Sequence, residues 1–181
     1  MTPIIVILGP TGIGKSKLAI ETALEKNYDI ISADAFQVYK DFDIGTAKVS
    51  KKEQSKVTHH LIDILSPTNA YNVVDFLNQT ETLLKDKNKK YIICGGTAYY
   101  LAAFLYQYNF SEAPESNSQL RESIEKELES NGKDPLLQEL KTIDPKLYES
   151  IDKKNPRRLI RAIEIARMTN KPPSSFNIKG N

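Results

Sequence analysis

Residues 9 to 16 read Gly-Pro-Thr-Gly-Ile-Gly-Lys-Ser and meet the spacing G-x-x-x-x-G-K-[S/T] at Gly9, Gly14, Lys15 and Ser16. The chemistry such a loop performs is phosphate binding. Its glycines let successive backbone N–H groups turn inward around phosphate oxygens, Lys15 adds a positive charge, and the Ser16 hydroxyl suits Mg²⁺. The whole stretch, Gly9, Pro10, Thr11, Gly12, Ile13, Gly14, Lys15 and Ser16, is therefore a candidate diphosphate site. A phosphate loop reads the diphosphate and leaves open what the diphosphate is attached to. Asp34, just past a second apolar run, is a candidate catalytic carboxylate, with a turn or helix cap as its structural alternative. Thr97, after Gly95-Gly96, is either a phosphate contact or a helix cap.

These residues need a scaffold that brings them to one edge. Short β-branched runs at 4–8, 29–33, 61–65 and 91–94 read as strands, separated by helical spacing at 16–26 and 72–85. In the latter segment Val73, Leu77, Thr80 and Leu84 form one stripe, with Val74 beside it. The rhythm predicts an α/β fold of the P-loop NTPase type, a mostly parallel sheet flanked by helices. In such a sheet ligands bind beyond the carboxyl ends of the strands, so the glycine loop, Asp34 and Thr97 should converge. Residues 1–110 are read as this core. A further helix is expected over 98–108, and residues 111–155 as a small helical insertion with apolar spacing at Leu120, Ile124 and Leu128. Residues 156–181 are read as a return helix, capped at Asn155-Pro156 and ending before Asn170, followed by the start of a further C-terminal part.

Composition sets limits on this reading. At 181 residues, with 40% hydrophobic and 27% charged side chains, the chain has the profile of a globular protein. No apolar stretch approaches the ~20 residues of a membrane span, and the N-terminal run lacks a signal peptide's basic segment, so a cytoplasmic location without membrane partners is expected. One cysteine, Cys94, excludes an internal disulfide, and Cys94 with His59 and His60 makes a poor zinc set. The net charge of +2 is uneven: residues 151–181 hold eight Lys/Arg against two Asp/Glu, leaving 17 basic and 21 acidic groups before them. Such a basic segment suits a polyanion or a solvated face.

An ATP-using enzyme adds an acidic Mg²⁺ partner at a nearby strand end. The strand at 91–94 runs instead into Gly95-Gly96-Thr97, and Asp63 is the other candidate. Taken in order, GPTGIGKS, ISADAFQVYKDFDIGTAK, HHLIDIL, CGGTAYYL and NPRRLIRAIEIARMTNKPPS resemble the tRNA dimethylallyltransferases (tRNA isopentenyltransferases), collinearly over nearly the whole chain. The resemblance implies transfer of a dimethylallyl group from dimethylallyl diphosphate to N6 of the adenosine adjacent to the anticodon. It implies Asp34 as the base, Thr97 and Lys15 on the diphosphate, Gln37 on the adenine, and Mg²⁺ held near Ser16. Arg158 and Arg161 would meet tRNA or substrate phosphates, and the insertion would close over the tRNA anticodon stem-loop. The paired histidines are taken as structural. A solvated amide for Gln37 and an ion pair between Arg161 and Glu164 are the structural alternatives.

The chain departs from the family pattern at Ala35, where serine is usual, and at Ala98, where glycine is usual. Members resembling it continue beyond the Lys-Pro-Pro segment, with another strand, a catalytic arginine and much of the tRNA surface. The isolated chain is expected to bind diphosphate and to transfer prenyl groups poorly, and a monomer is expected for the complete protein. A P-loop small-molecule or nucleotide kinase, a non-catalytic diphosphate-binding fragment, and an adenylate isopentenyltransferase are the alternatives.

Overall fold

Strand β1 (Ile5–Leu8) supplies the β-branched run that leads into the glycine loop, and α1 (Lys15–Lys26) follows it. The computed structural model describes residues 4–110 and 114–176. The chain then forms β2 (Asp29–Ser32), a single-turn helix α2 (Lys51–Gln54), β3 (His59–His60), α3 (Val73–Leu84), β4 (Tyr91–Gly95) and α4 (Ala98–Leu105). Its sheet is fully parallel with order β1-β4-β2-β3. All five residues of β4 are buried, as expected of a strand covered on both faces. Leu8 pairs with Gly95 and Ser32 with Cys94, so the carboxyl ends of β1, β4 and β2 stand level.

The third strand differs from the expected 61–65. Extended pairing occupies only His59 and His60, against Ile30 and Ile31. Leu61 and Asp63 then adopt left-handed backbone at φ 60 and φ 55, which no strand accepts. Leu61 and Ile62 remain buried, so the apolar pattern reports core packing without a ladder. Leu65 rejoins the sheet region through an isolated bridge to Tyr39.

Asn72 caps α3 by accepting from Val74 N and Asp75 N, and the Asp75 side chain returns a bond to Asn72 N. This helix buries Phe76 and Thr80, while Val74 stays exposed. Phe76, with no exposed surface, stacks on Tyr100 at 5.0 Å between centroids, and its burial is worth about 2–3 kcal/mol.

Two compact units are distinguished, one within Met1–Tyr108 and one within Asn109–Gly180. The second is helical: α5 (Ser118–Asn131), α6 (Asp134–Ile143), α7 (Pro145–Ser150) and α8 (Pro156–Thr169), then a short 3₁₀ turn at Pro173–Ser175. Ile124, Leu136, Leu140, Leu159 and Ile163 form its core, so the helix after Asn155 packs with the helices that precede it. Asn155 accepts from Arg158 N at the start of α8, and Asn170 ends it in the left-handed conformation at φ 53. The expected start of the insertion at 111–113 and the last expected residues, 177–181, lie outside the described residues. Among the described residues no helix is long and apolar enough to cross a membrane.

Candidate functional site

The loop leaving β1 turns through Gly12 at φ 89 and Gly14 at φ 91, conformations that L side chains resist. Gly14 is the N-cap of α1, which makes Lys15 and Ser16 the first residues of that helix. The N–H groups of a first turn have no intrahelical partner and carry the positive end of the helix dipole. Lys15 Nζ donates to Pro10 O at 2.6 Å, which holds the ammonium over the loop. Among the described residues the Ser16 hydroxyl has no partner. Cys94, level with Ile7 in the sheet, has its thiol pushed up to about 11 by burial, against a smaller opposing pull from the Lys15 charge.

Asp34 stands two residues beyond β2. Its Oδ1 accepts from Phe36 N at 2.9 Å and Gln37 N at 3.3 Å, so the turn-capping alternative is realised on that oxygen. Oδ2 points elsewhere. A Cβ built on Gly96 would lie 3.8 Å from Asp34 Oδ2 and 3.8 Å from Thr11 Oγ1. The glycine loop, the end of β2 and the end of β4 therefore meet around Gly96. Thr97 joins them: its Oγ1 accepts from Ala35 N at 3.0 Å, and its own N–H donates to Ala33 O at 3.2 Å. Its side chain makes no cap bond to α4. The hydroxyl proton remains free to donate, whereas the backbone N–H is already used.

Gln37 is not a solvated amide. Its Nε2 donates to Thr46 O at 3.3 Å and Ala47 O at 3.4 Å, and its Oε1 accepts from Ser32 Oγ at 3.4 Å. Asp63 accepts from Lys48 at 2.6 Å and also pairs with Lys51. Burial acts to raise its carboxyl, but the two ammonium groups outweigh it and hold the pKa below the ordinary value. His59 Nδ1 contacts Val57 O at 2.8 Å and His60 Nε2 contacts Asp29 at 2.9 Å. Among the described residues no group of three or more His, Cys, Asp or Glu gathers as for a metal.

Arg158 and Arg161 belong to the second unit. Arg158 is exposed; its backbone N–H donates to Asn155 Oδ1 at 3.3 Å, and among the described residues its guanidinium has no partner. Arg161 donates from Nη1 to Glu164 at 2.8 Å and from Nη2 to Pro114 O at 2.6 Å. Its side chain thus adopts the structural pairing that the sequence allowed. Glu164 is fully buried and also receives Arg121 Nη2, Asn117 N and the Ser116 hydroxyl. Despite burial, these donors, the two arginines foremost, hold its carboxyl down to about 2. Sequence reasoning missed this hub and missed Lys48, which lies inside a quoted motif but carried no assigned role.

A phosphate loop between the first strand and first helix of a parallel sheet, with a carboxylate and a threonine brought to the same edge, defines a P-loop-like α/β fold. A family model described as IPP transferase matches residues 37–180. The curated tRNA dimethylallyltransferase of Anoxybacillus flavithermus is 42% identical over 171 residues, covering 93% of this chain and 53% of that protein. That of Caldanaerobacter subterraneus is 38% identical over 176 residues, covering 96% and 56%. Among solved structures, a eukaryotic dimethylallyltransferase acting on tRNA aligns with TM-score 0.79 and 31% identity over 99% of this chain and 45% of that one. The full-length tRNA isopentenylpyrophosphate transferase of Bacillus halodurans aligns with TM-score 0.59 and 35% identity, over 95% and 57%. The chain belongs to the IPP transferase family. It spans about half the length of the relatives it matches.

Proposed function

We propose that this chain carries the donor-binding and base-activating part of a tRNA dimethylallyltransferase, transferring a dimethylallyl group from dimethylallyl diphosphate to N6 of the adenosine adjacent to the anticodon. The observation that carries this reading is the approach of Asp34 Oδ2 and Thr11 Oγ1 to one point beside Gly96. It sets a carboxylate against the rim of a diphosphate loop, where prenyl transfer to an amine needs a proton acceptor.

The loop amides and Lys15 stabilise the charge that develops on the departing diphosphate. Thr97 donates its hydroxyl proton to the same group. As the exocyclic amine attacks the allylic carbon, it loses a proton to Asp34 Oδ2, the oxygen not committed to the Phe36 and Gln37 N–H groups. The residues fit Mg²⁺ carried on the diphosphate: Ser16 offers a free hydroxyl, and hard cations of this kind keep waters and substrate oxygens as ligands. Bound there, the ion would neutralise leaving-group charge. Arg158 and the basic segment around it offer the tRNA anticodon stem-loop a phosphate contact, whereas Arg161 acts inside the fold. On this reading the reaction is a cytoplasmic one.

A kinase reading is weaker, because Asp63, its acidic candidate, is bound by Lys48 and Lys51. The test incubates the chain with labelled dimethylallyl diphosphate, Mg²⁺ and unmodified tRNA, alone and supplemented with the C-terminal half of a relative. Label in tRNA that falls about 10³-fold in Asp34→Ala, with donor affinity kept, is expected. ATP consumption without label transfer would overturn the proposal.

A further inference from the structure

The loop 41–48 is held by one buried cation. Lys48, whose side chain is 2% exposed, uses its three ammonium hydrogens on Tyr39 O at 2.7 Å, Asp43 Oδ1 at 2.7 Å and Asp63 Oδ1 at 2.6 Å. These partners come from three segments: the turn after Asp34, the loop itself, and the left-handed stretch at 61–63. Backbone bonds support the same junction, with Asp63 N donating to Gln37 O at 3.1 Å and Ile64 N to Val38 O at 2.9 Å. The clasp therefore fixes where the carbonyls of Thr46 and Ala47 stand.

Those two carbonyls face the Gln37 amide, and a carbonyl only accepts. The nitrogen of Gln37 must lie toward the loop and its oxygen toward β2, where Ser32 supplies one donor at 3.4 Å. With both amide hydrogens spent, the free capacity of Gln37 is a single acceptor lone pair. Resting on the proposed function, we infer that Lys48 is a positioning residue: by pinning loop 41–48 it locks the polarity of the Gln37 amide, so that the site accepts a base bearing an exocyclic amine and rejects one bearing a keto oxygen.

The test compares two anticodon stem-loop RNAs that differ only in adenosine or inosine next to the anticodon, titrated into the chain with Mg²⁺ and inorganic diphosphate in place of the prenyl donor. The wild type should prefer the adenosine hairpin about tenfold. Lys48→Met should bring the preference close to that of Gln37→Ala, with inorganic diphosphate affinity within about twofold of wild type. Lys51 still neutralises Asp63 in that variant. Asp43→Ala, which removes the exposed leg of the clasp, should lower the preference partway and serves if Lys48→Met does not fold. Side-chain amide NMR gives a readout independent of RNA: the Gln37 protons should be protected in the wild type and exchange freely in either variant. Protection or discrimination unchanged in both variants would overturn the inference. A chain that binds diphosphate but takes both hairpins equally would overturn it while leaving the diphosphate reading intact. A chain that binds no diphosphate would overturn the proposed function instead, and the Gln37 resonances would still decide the role of Lys48.

Discussion

Replacing Glu164 with Gln tests whether Arg161 serves the fold. The carboxylate is fully buried and accepts four bonds: the Ser116 hydroxyl at 3.0 Å, Asn117 N at 2.7 Å, and one nitrogen each from Arg121 and Arg161 at 2.8 Å. Glutamine keeps the shape, removes the charge and turns donor hydrogens toward two guanidinium groups. The carboxyl stands at about 2 against an ordinary 4.5, which corresponds to about 3 kcal/mol of folding stability. The general cost of removing one partner from a buried ion pair is similar, about 3–5 kcal/mol. Because the folded value lies below the ordinary one, the unfolded chain takes up the proton first as pH falls. The contribution is complete above 4.5 and disappears as pH drops to about 2. Urea unfolding followed by far-ultraviolet circular dichroism should therefore show Glu164→Gln about 3 kcal/mol less stable near neutral pH, with the gap closing in acid. A loss below about 1 kcal/mol, or a gap that ignores acid, would refute the hub and return Arg161 to the list of ligand contacts.

Three other outcomes are expected. Gly95→Ala places a Cβ 2.1 Å from Ala33 O and 2.4 Å from Ala33 C, a collision with backbone that cannot rotate away. It should cost about 3 kcal/mol or more in thermal unfolding, and an unchanged midpoint would disprove the close approach of β4 to the end of β2. Asn72→Ala removes a reciprocal cap from α3 and should cost about 1 kcal/mol by denaturant titration; no loss would mean the cap is idle. Cys94, pushed up to about 11 by burial, should alkylate with iodoacetamide far more slowly in the folded chain than in urea, accelerating only as pH nears that value. Equal rates in both states would contradict its burial.

What the sequence revealed was local. The glycine loop is contiguous, its spacing encodes its backbone conformation, and the strand before it announces itself by β-branching, so the candidate loop could be placed from eight residues. Asp34 and Thr97 followed because each lies just past an apolar run, and parallel strands end at a common edge. The third strand was misjudged because Leu61-Ile62-Asp63-Ile64-Leu65 is a short apolar run of strand length, while its backbone turns left-handed at Leu61 and at Asp63, whose carboxylate pairs with Lys48 and Lys51. Periodicity cannot see a pairing between residues 15 apart in the chain. Arg161 shows the same limit from the other side: its spacing allowed either a ligand contact or an ion pair with Glu164. The ion pair is what the structure forms, at a carboxylate that Arg121, Ser116 and Asn117 reach from 43 to 48 residues away in sequence.

The strand order explains why the tripeptide Gly95-Gly96-Thr97 is the axis of the candidate site. Because β4 lies between β1 and β2, whatever follows β4 must pass between the glycine loop and Asp34. The three positions then face different demands. Residue 95 must lack a side chain because the Ala33 carbonyl fills the space a Cβ would take. At 96 a Cβ would sit in ordinary contact with Asp34 Oδ2 and Thr11 Oγ1, so the fold would tolerate alanine, which on the proposed function would narrow the approach to the carboxylate. Residue 97 uses its hydroxyl to accept from Ala35 N, and on the proposed function the proton of that hydroxyl would be left for the diphosphate. Valine there would keep the shape and leave an amide at the end of β2 without its acceptor, loosening the very turn that aims Asp34.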